Sequence, residues 1–149
     1  MRRDRSMLRR LVPLEEHEQA LYFRWLLDVT IKDLGLPEAA PEPLRPHCYA
    51  VANQKGTRSD LDVMRLAAQG VTAGAHDINV DVPSGPYHGL RLEAKRRKGG
   101  RVSTEQQAMI EHRRRMQYQS LVGEGFDELR LLTKQYLTLS WRVFDRWNG

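Results

Sequence analysis

The chain has 149 residues, of which 40% are hydrophobic and 29% charged, so we expect one ordinary domain with a real core and not two domains. Lys and Arg number 24 against 19 Asp and Glu, which gives a net charge of +5. This charge favours a polyanion as the binding partner over an acidic protein or a neutral metabolite. The single Cys48 excludes an internal disulfide and a CxxC zinc site, and it indicates a reducing compartment. No run of residues is apolar for long enough to span a membrane, and no signal-peptide pattern follows the Arg-rich start, so we expect a cytoplasmic protein.

The N-terminal part of the sequence predicts a tail, a helix and a strand. Residues 1–12 are rich in Arg and offer little to bury, so they form a basic tail ahead of a domain over 13–138. Pro13 suits the first turn of a helix that runs to about Leu34 and stops at Gly35. Four prolines then indicate an extended connector, and 48–52 reads as a short strand.

A second helix and a hairpin follow. Residues 53–59 form a polar loop whose Lys55 and Arg58 could touch phosphate, and Ser59 starts a helix that ends before Gly70. The turn signal at 83–86 separates two runs, 76–82 and 88–95, in which apolar and polar residues alternate. This alternation predicts a β-hairpin with one apolar face and one charged face.

The charged face carries two carboxylates that the hairpin would bring together. With the turn centred on Gly85, Asp77 lies opposite Glu93, their Cβ atoms roughly 5 Å apart. Two anions at that distance repel each other by about 3 kcal/mol at an effective dielectric near 20, so the pair needs compensation. A divalent cation would supply it, and two carboxylates with the Ala94 carbonyl are oxygen ligands of the kind that Mg²⁺ and Mn²⁺ prefer.

Lys95 lies on the same face as Glu93, two residues further along. Its ammonium could orient or help deprotonate a water, or offset charge on a phosphate, as in a metal-dependent phosphodiesterase. The alternative is an ordinary surface hairpin, in which Arg91 and Lys95 neutralise Asp77, Asp81 and Glu93 in solvent. The hairpin alone leaves both readings open.

The C-terminal half predicts a basic loop, two helices and a strand. The loop 96–101 carries Arg96, Arg97, Lys98 and Arg101 directly beside Lys95. Ser103 and Gln106 have the spacing of a capping box, which opens a helix to about Met116. A strand over 118–122 and a helix over 126–137 complete the order αβαββαβα, an α/β domain with a mixed sheet. Trp141, Phe144 and Trp147 recur every third residue in an aromatic tail over 139–149, which suggests packing on its own domain or on a second subunit.

Three motifs in this order resemble the VRR-NUC family of the PD-(D/E)xK nuclease superfamily. They are GVTAGAHD at 70–77, YHGLRLEAK at 87–95 and GRVSTEQ at 100–106. The first helix and the last strand and helix resemble the same family, so the resemblance covers most of the chain. It implies a restriction-endonuclease-like mixed sheet flanked by helices.

The resemblance also implies roles for particular residues. Asp77 and Glu93 would be metal ligands, Lys95 would position the water, and Gln106 would be a polar group of the active site. A carboxylate of the first helix would complete the site, at Glu15 or, on the same helical face, at Glu18. The expected cofactor is Mg²⁺ or Mn²⁺, and the expected nucleic-acid contacts are Lys55, Arg58, Arg96, Arg97, Lys98 and Arg101.

Compact virus-type members of the family resemble homodimeric nucleases that act on branched DNA, including four-way (Holliday) junctions. The sequence therefore favours a homodimeric DNA endonuclease, phage-encoded and working in the host cytoplasm. A non-catalytic nucleic-acid-binding or scaffolding module with the same fold is the alternative. Two departures stand out: His76 replaces a common Pro, with its side chain expected on the face opposite Asp77, and Gln117 replaces a Gly that commonly ends the helix.

Overall fold

The computed structural model describes residues 15–30, 32–34, 44–51 and 59–139. Within them lie four α-helices and four strands in the predicted order. The helices are α1 (Glu15–Asp28), α2 (Asp60–Ala68), α3 (Thr104–Arg115) and α4 (Phe126–Leu137). The strands are β1 (Cys48–Ala50), β2 (Ile78–Val80), β3 (Leu90–Lys95) and β4 (Gln119–Glu124), and a 3₁₀ turn, Arg45–His47, precedes β1. The basic tail, residues 13–14 of the predicted domain and residues 140–149 of the predicted aromatic tail fall outside these ranges, as do Lys55 and Arg58.

The four strands form one mixed sheet in the order β1-β2-β3-β4. β1 and β2 pair antiparallel, as do β2 and β3, whereas β3 and β4 run parallel because α3 connects them. The hairpin register sets Ile78 opposite Leu92 and Val80 opposite Leu90. Continued by one residue, this register places Asp77 opposite Glu93, as the sequence predicts.

The hydrophobic core lies between one face of the sheet and helices α1 and α4. The strands contribute alternate apolar residues, which pack against Tyr22 and Leu26 of α1 and against Leu129 and Tyr136 of α4. The Tyr22 hydroxyl lies 2.8 Å from Thr133 Oγ1 and so satisfies both buried polar groups. On the opposite face, α3 packs beside β4, and the charged side chains of β3 point to this side.

The first helix ends earlier than the sequence predicts, at Asp28 and not near Leu34. The reason is a new turn that begins at Thr30. The Thr30 hydroxyl accepts from the Asp33 N–H at 3.1 Å, and Asp33 Oδ2 accepts from the Thr30 N–H at 3.1 Å, so side chains replace the helical hydrogen bonds there. The turn still buries Leu34.

The other boundaries differ by one to three residues or agree. β1 is shorter than predicted and β4 begins and ends later, whereas the predicted caps Ser59 and Ser103 and the span of α4 are confirmed.

After α3, Gln117 adopts a left-handed backbone with φ of 60°. The N–H of Tyr118 donates to Arg113 O and that of Gln117 to Arg114 O, both at 3.1 Å, which is a Schellman motif. Among the described helices, none has the length and apolarity that a membrane crossing requires.

Candidate active site

Asp77 and Glu93 are both buried, one residue beyond Ile78 and Leu92, the last pair of the β2–β3 ladder at this end. Asp77 is 2% exposed and Glu93 1%, and Lys95, on the same face of β3, is 6% exposed. The interpretation of these three charges as a solvated surface hairpin is therefore wrong. Of the pairs in that interpretation, Arg91 and Asp81 do form an ion pair at 2.9 Å, but only the Asp81 side chain is exposed, at 42% against 11% for Arg91.

The backbone of Ala94 faces Asp77. Its N–H donates to Asp77 Oδ2 at 2.9 Å, so the carboxylate completes the ladder one residue beyond the end of β2. The N–H and C=O of one strand residue point toward the same neighbouring strand. The Ala94 carbonyl therefore points to the side on which Asp77 lies, and both are oxygen donors at one end of the sheet.

Lys95 connects the strand to helix α3. Its Nζ donates to Glu93 Oε1 at 2.8 Å and to Gln106 Oε1 at 3.0 Å. An ammonium group has three N–H donors, and these two contacts use two of them. Within the described residues no further acceptor contacts Nζ, so the third donor can reach a water molecule or a phosphate oxygen.

Gln106 has two roles at once. Its Oε1 accepts from the Ser103 N–H at 2.9 Å, while Ser103 Oγ accepts from the Gln106 N–H at 3.1 Å, which is the predicted capping box. The same side chain accepts from Lys95, and its amide nitrogen donates to Glu93 Oε1. The cap that starts α3 thus also holds the lysine and the glutamate in place.

Burial and then the neighbouring Asp77 raise the pKa of Glu93 to about 7, although Lys95 opposes the shift. One ammonium is therefore not enough to compensate two buried carboxylates, and the site favours a further positive charge. Within the described ranges, no group of three or more His, Cys, Asp or Glu side chains could hold a metal ion by itself. The donors that fit a hard divalent cation are the two carboxylates and the Ala94 carbonyl.

Comparison with known proteins bears on the fold. No protein-family model and no curated protein matches the chain. Among solved structures, a "VRR_NUC domain protein" superimposes with a TM-score of 0.69 at 24% identity, over 85% of this chain and 89% of the other. The fold is that of a VRR-NUC domain. The architecture that the three motifs predict is thereby confirmed.

The first helix of this VRR-NUC fold contributes Glu15 and Glu18 in different settings. Glu15 is the first residue of α1 and is partly exposed. Glu18 is 1% exposed, and its Oε2 accepts from the Phe126 N–H at 2.6 Å, at the start of α4. Arg97 Nε lies 2.8 Å from Glu18 Oε1. These contacts commit Glu18 to the basic loop and α4, and the choice between the two glutamates stays a prediction.

The basic loop between β3 and α3 divides into two kinds of residue. Lys98 and Arg101 are exposed, and Arg96 is half-buried. Arg97 turns its guanidinium to Glu18, a contact for which the sequence offers no spacing signal because 79 positions separate the residues. Lys98 and Arg101 stay available for a polyanion.

His76 does not lie on the side that the strand alternation predicts. The chain bends at Asp77, before β2 begins, so the period of two does not extend to His76. Its Nε2 lies 2.5 Å from Ser120 Oγ, on the face of the sheet that α3 covers. Burial and then Arg113 lower its pKa to about 4, so it is neutral at physiological pH. The expectation that His76 faces away from the charged side is wrong.

Gly74 sets the approach of the Asp77 loop to helix α3. Its φ is +75°, and a Cβ there would lie 2.6 Å from the Glu105 carbonyl oxygen and 3.1 Å from the Gln106 nitrogen. No side chain fits in that gap. The absence of one lets the segment before Asp77 contact the first turn of α3, which carries Gln106.

Proposed function

We propose that the protein is a Mg²⁺- or Mn²⁺-dependent DNA endonuclease that hydrolyses phosphodiester bonds. The observation that carries this proposal is the buried group of Asp77, Glu93, Lys95 and Gln106 at one end of a nuclease-type sheet. Two carboxylates in so little solvent are unfavourable unless a cation is bound between them. The proposed ligands are Asp77, Glu93 and the Ala94 carbonyl, with Glu15, or else Glu18, completing the set.

The cation would supply Lewis-acid stabilisation of negative charge on the scissile phosphate. The side chains of the protein would do the rest. Lys95 would direct its third N–H at the attacking water or at a phosphate oxygen, because Glu93 and Gln106 fix the other two. Gln106, at the rigid start of α3, would hold the side chains of Lys95 and Glu93 in position through its hydrogen bonds.

The basic residues of the loop beside the site support DNA as the substrate. Arg96, Lys98 and Arg101 follow Lys95 directly, so phosphates that they bind would lie close to the carboxylates. We propose that Lys55 and Arg58 add contacts from the preceding loop. We further propose that the enzyme acts as a homodimer on branched DNA such as four-way junctions, as compact virus-type relatives of this kind are expected to do.

The alternative is a non-catalytic nucleic-acid-binding or scaffolding module. One observation favours it: Lys95 already pairs with Glu93, and Gln106 satisfies both, so this part of the site is bonded without a metal. Such a module would bind DNA through the basic loop and never cut it.

A cleavage assay separates the two. Labelled duplex, forked and four-way-junction DNA would be incubated with Mg²⁺, with Mn²⁺ and with chelator, using the wild type, Asp77→Asn and Lys95→Gln. Both substitutions nearly preserve volume and remove one charge each. We expect metal-dependent cutting by the wild type and a loss of roughly 100-fold or more in each variant.

Asp81→Asn is the matched control, since Asp81 is also a hairpin aspartate but is exposed and pairs with Arg91. It should cut like the wild type. Metal-dependent cutting that Asp77→Asn and Lys95→Gln retain in full would contradict the assigned site. Tight DNA binding by a wild type that never cuts would establish the module.

A further inference from the structure

Glu18 forms a buried junction between two helices and the loop that follows the candidate site. Its Oε2 accepts from the Phe126 N–H at 2.6 Å, where the N-terminus of α4 favours a negative charge. Its Oε1 lies 2.8 Å from Arg97 Nε, and Arg97 Nη2 donates to Oε2 at 3.4 Å. The carboxylate thus joins α1, α4 and the basic loop at one point.

Gly125 makes room for the arginine at this junction. A Cβ on Gly125 would lie 2.6 Å from Arg97 Cγ and 3.0 Å from its Nε, so the side chain of Arg97 crosses the space that a larger residue would fill. The same glycine donates its N–H to the Lys95 carbonyl oxygen at 2.9 Å. The residue that admits Arg97 therefore also holds the backbone of Lys95.

The loop then folds back onto Lys95. A Cβ on Gly100 would lie 2.9 Å from the Lys95 Cβ, so the backbone of Gly100 packs directly on the stem of the lysine. Lys95 is consequently held at three places: its carbonyl by Gly125, its stem by Gly100, and its ammonium by Glu93 and Gln106. Among contacts between described residues, the side chain of Arg97 is the one that anchors the loop between Lys95 and Gly100.

We propose that Arg97 is a positioning residue, which anchors the basic loop to Glu18 and thereby fixes Lys95 for the reaction, and that it does not bind phosphate. The proposal rests on the nuclease function for its catalytic part only. It differs from the sequence-based expectation that all four basic residues of the loop contact DNA. The Arg97 side chain is 48% exposed, but turning its guanidinium from Glu18 to a phosphate would leave a glutamate that is 1% exposed without its counter-ion, which is unfavourable.

The neighbouring Lys98 gives the matched comparison. It is exposed, and the described part of the chain shows no ion pair for it, so it is free to meet a phosphate. Arg65 of α2 gives a control, since its side chain is 66% exposed and pairs with Asp62 of the same helix. The test compares Arg97→Ala, Arg97→Lys, Lys98→Ala and Arg65→Ala in the full chain.

Three measurements are made on each variant: the salt dependence of DNA binding, kcat and KM for cleavage, and the unfolding midpoint with and without Glu18→Gln. We expect Lys98→Ala to reduce the salt slope by about 1 and Arg97→Ala to leave it unchanged. Arg97→Ala should lower kcat roughly 10- to 100-fold at similar KM, with partial recovery in Arg97→Lys. Arg65→Ala should match the wild type.

The effects of Arg97→Ala and Glu18→Gln on the unfolding midpoint should be non-additive, because the second change finds the pair already broken. A salt slope that falls as much for Arg97→Ala as for Lys98→Ala, with additive unfolding effects, would overturn the proposal. Should the wild type fail to cut, the nuclease function fails by itself, and the binding and unfolding measurements still decide whether Arg97 is an anchor.

Discussion

The ammonium of Lys95 lies 2.8 Å from Glu93 Oε1, and both residues point to the same face of β3. Their side chains are 8% and 1% exposed, so little solvent screens the pair. Asp77 faces the same space from the next strand, and one lysine therefore serves two buried carboxylates. Because of this imbalance, the candidate site favours a further cation. It should also make the free energy of unfolding depend on pH.

Glu93→Gln should make the protein more stable at alkaline pH. Because burial and Asp77 raise the pKa of Glu93 from 4.5 to about 7, the folded state holds a proton that the unfolded state has lost between these values. The contribution of Glu93 to stability is therefore present below pH 4.5 and is lost as the pH rises to about 7. The slope is at most about 1.4 kcal/mol per pH unit.

Urea unfolding of the wild type and Glu93→Gln near pH 4 and near pH 8, in chelator, measures this difference. The free energy of unfolding of the variant, relative to that of the wild type, should be higher near pH 8 than near pH 4. Added Mg²⁺ should stabilise the wild type more than the variant, since binding to the folded state alone favours folding. An equal difference at both pH values would show that Glu93 keeps its ordinary acidity.

Gly74→Ala should separate the Asp77 loop from α3. The added Cβ would contact the backbone of Glu105 at 2.6 Å, and the left-handed φ adds strain, so we expect a loss of about 2 to 4 kcal/mol. Gly99→Ala is the matched control, because Gly99 has a similar φ of +77° but an open surrounding. It should lose only the strain, about 1 to 2 kcal/mol. If Gly74→Ala and Gly99→Ala lose the same free energy of unfolding, then α3 shifts to make room for the new methyl group at position 74.

Gln117→Gly should stabilise the protein. Gln117 occupies the left-handed position of a Schellman motif, where a Cβ costs about 1 to 2 kcal/mol. Removing the Cβ relieves this strain, but glycine also raises the entropy of the unfolded chain, which offsets part of the stabilisation. We expect a net increase of up to about 1 kcal/mol in the free energy of unfolding. The reverse change after α2, Gly70→Ala, should lower it, since Gly70 has a φ of +87° with nothing within 4 Å. A Gln117→Gly variant less stable than the wild type would refute this account.

Ser103→Ala should affect both stability and cleavage, whereas Ser59→Ala should affect stability alone. Both serines are N-caps, and loss of either hydroxyl should cost about 1 kcal/mol. Only Ser103 shares its capping box with Gln106, which holds Lys95 and Glu93. Thermal unfolding and kcat, measured on both variants, test this. Equal kcat values in the two variants would show that Gln106 keeps its place without the cap.

The sequence predicts those features that depend on local spacing. The hairpin register follows from one turn and a period of two, and the caps at Ser59 and Ser103 follow from side chains next to their own helices. The three motifs also identify the fold. Each of these signals lies within a short stretch of chain, so no knowledge of tertiary packing is needed to read it.

The sequence does not predict contacts between distant residues or local competition for hydrogen bonds. Arg97 and Glu18 meet only after α1 and α4 have packed on the sheet, and no pattern connects them. His76 is misplaced because the alternation of β2 ends at the bend before it. The early end of α1 depends on the side chains of Thr30 and Asp33, which bind the backbone in place of the helical partners.

The strand that carries Glu93, Ala94 and Lys95 pairs with a neighbour on each side and buries all six of its residues. Central strands of this kind open only when the whole molecule unfolds, so these three residues cannot move out to meet a substrate. For the proposed DNA substrate, the adaptation would then have to come from the nucleic acid. Bending a straight DNA duplex costs energy. DNA that already has a flexible point, such as a branch, avoids most of that cost. We therefore expect the rigidity of β3 to favour DNA with a built-in flexible point over uninterrupted duplex.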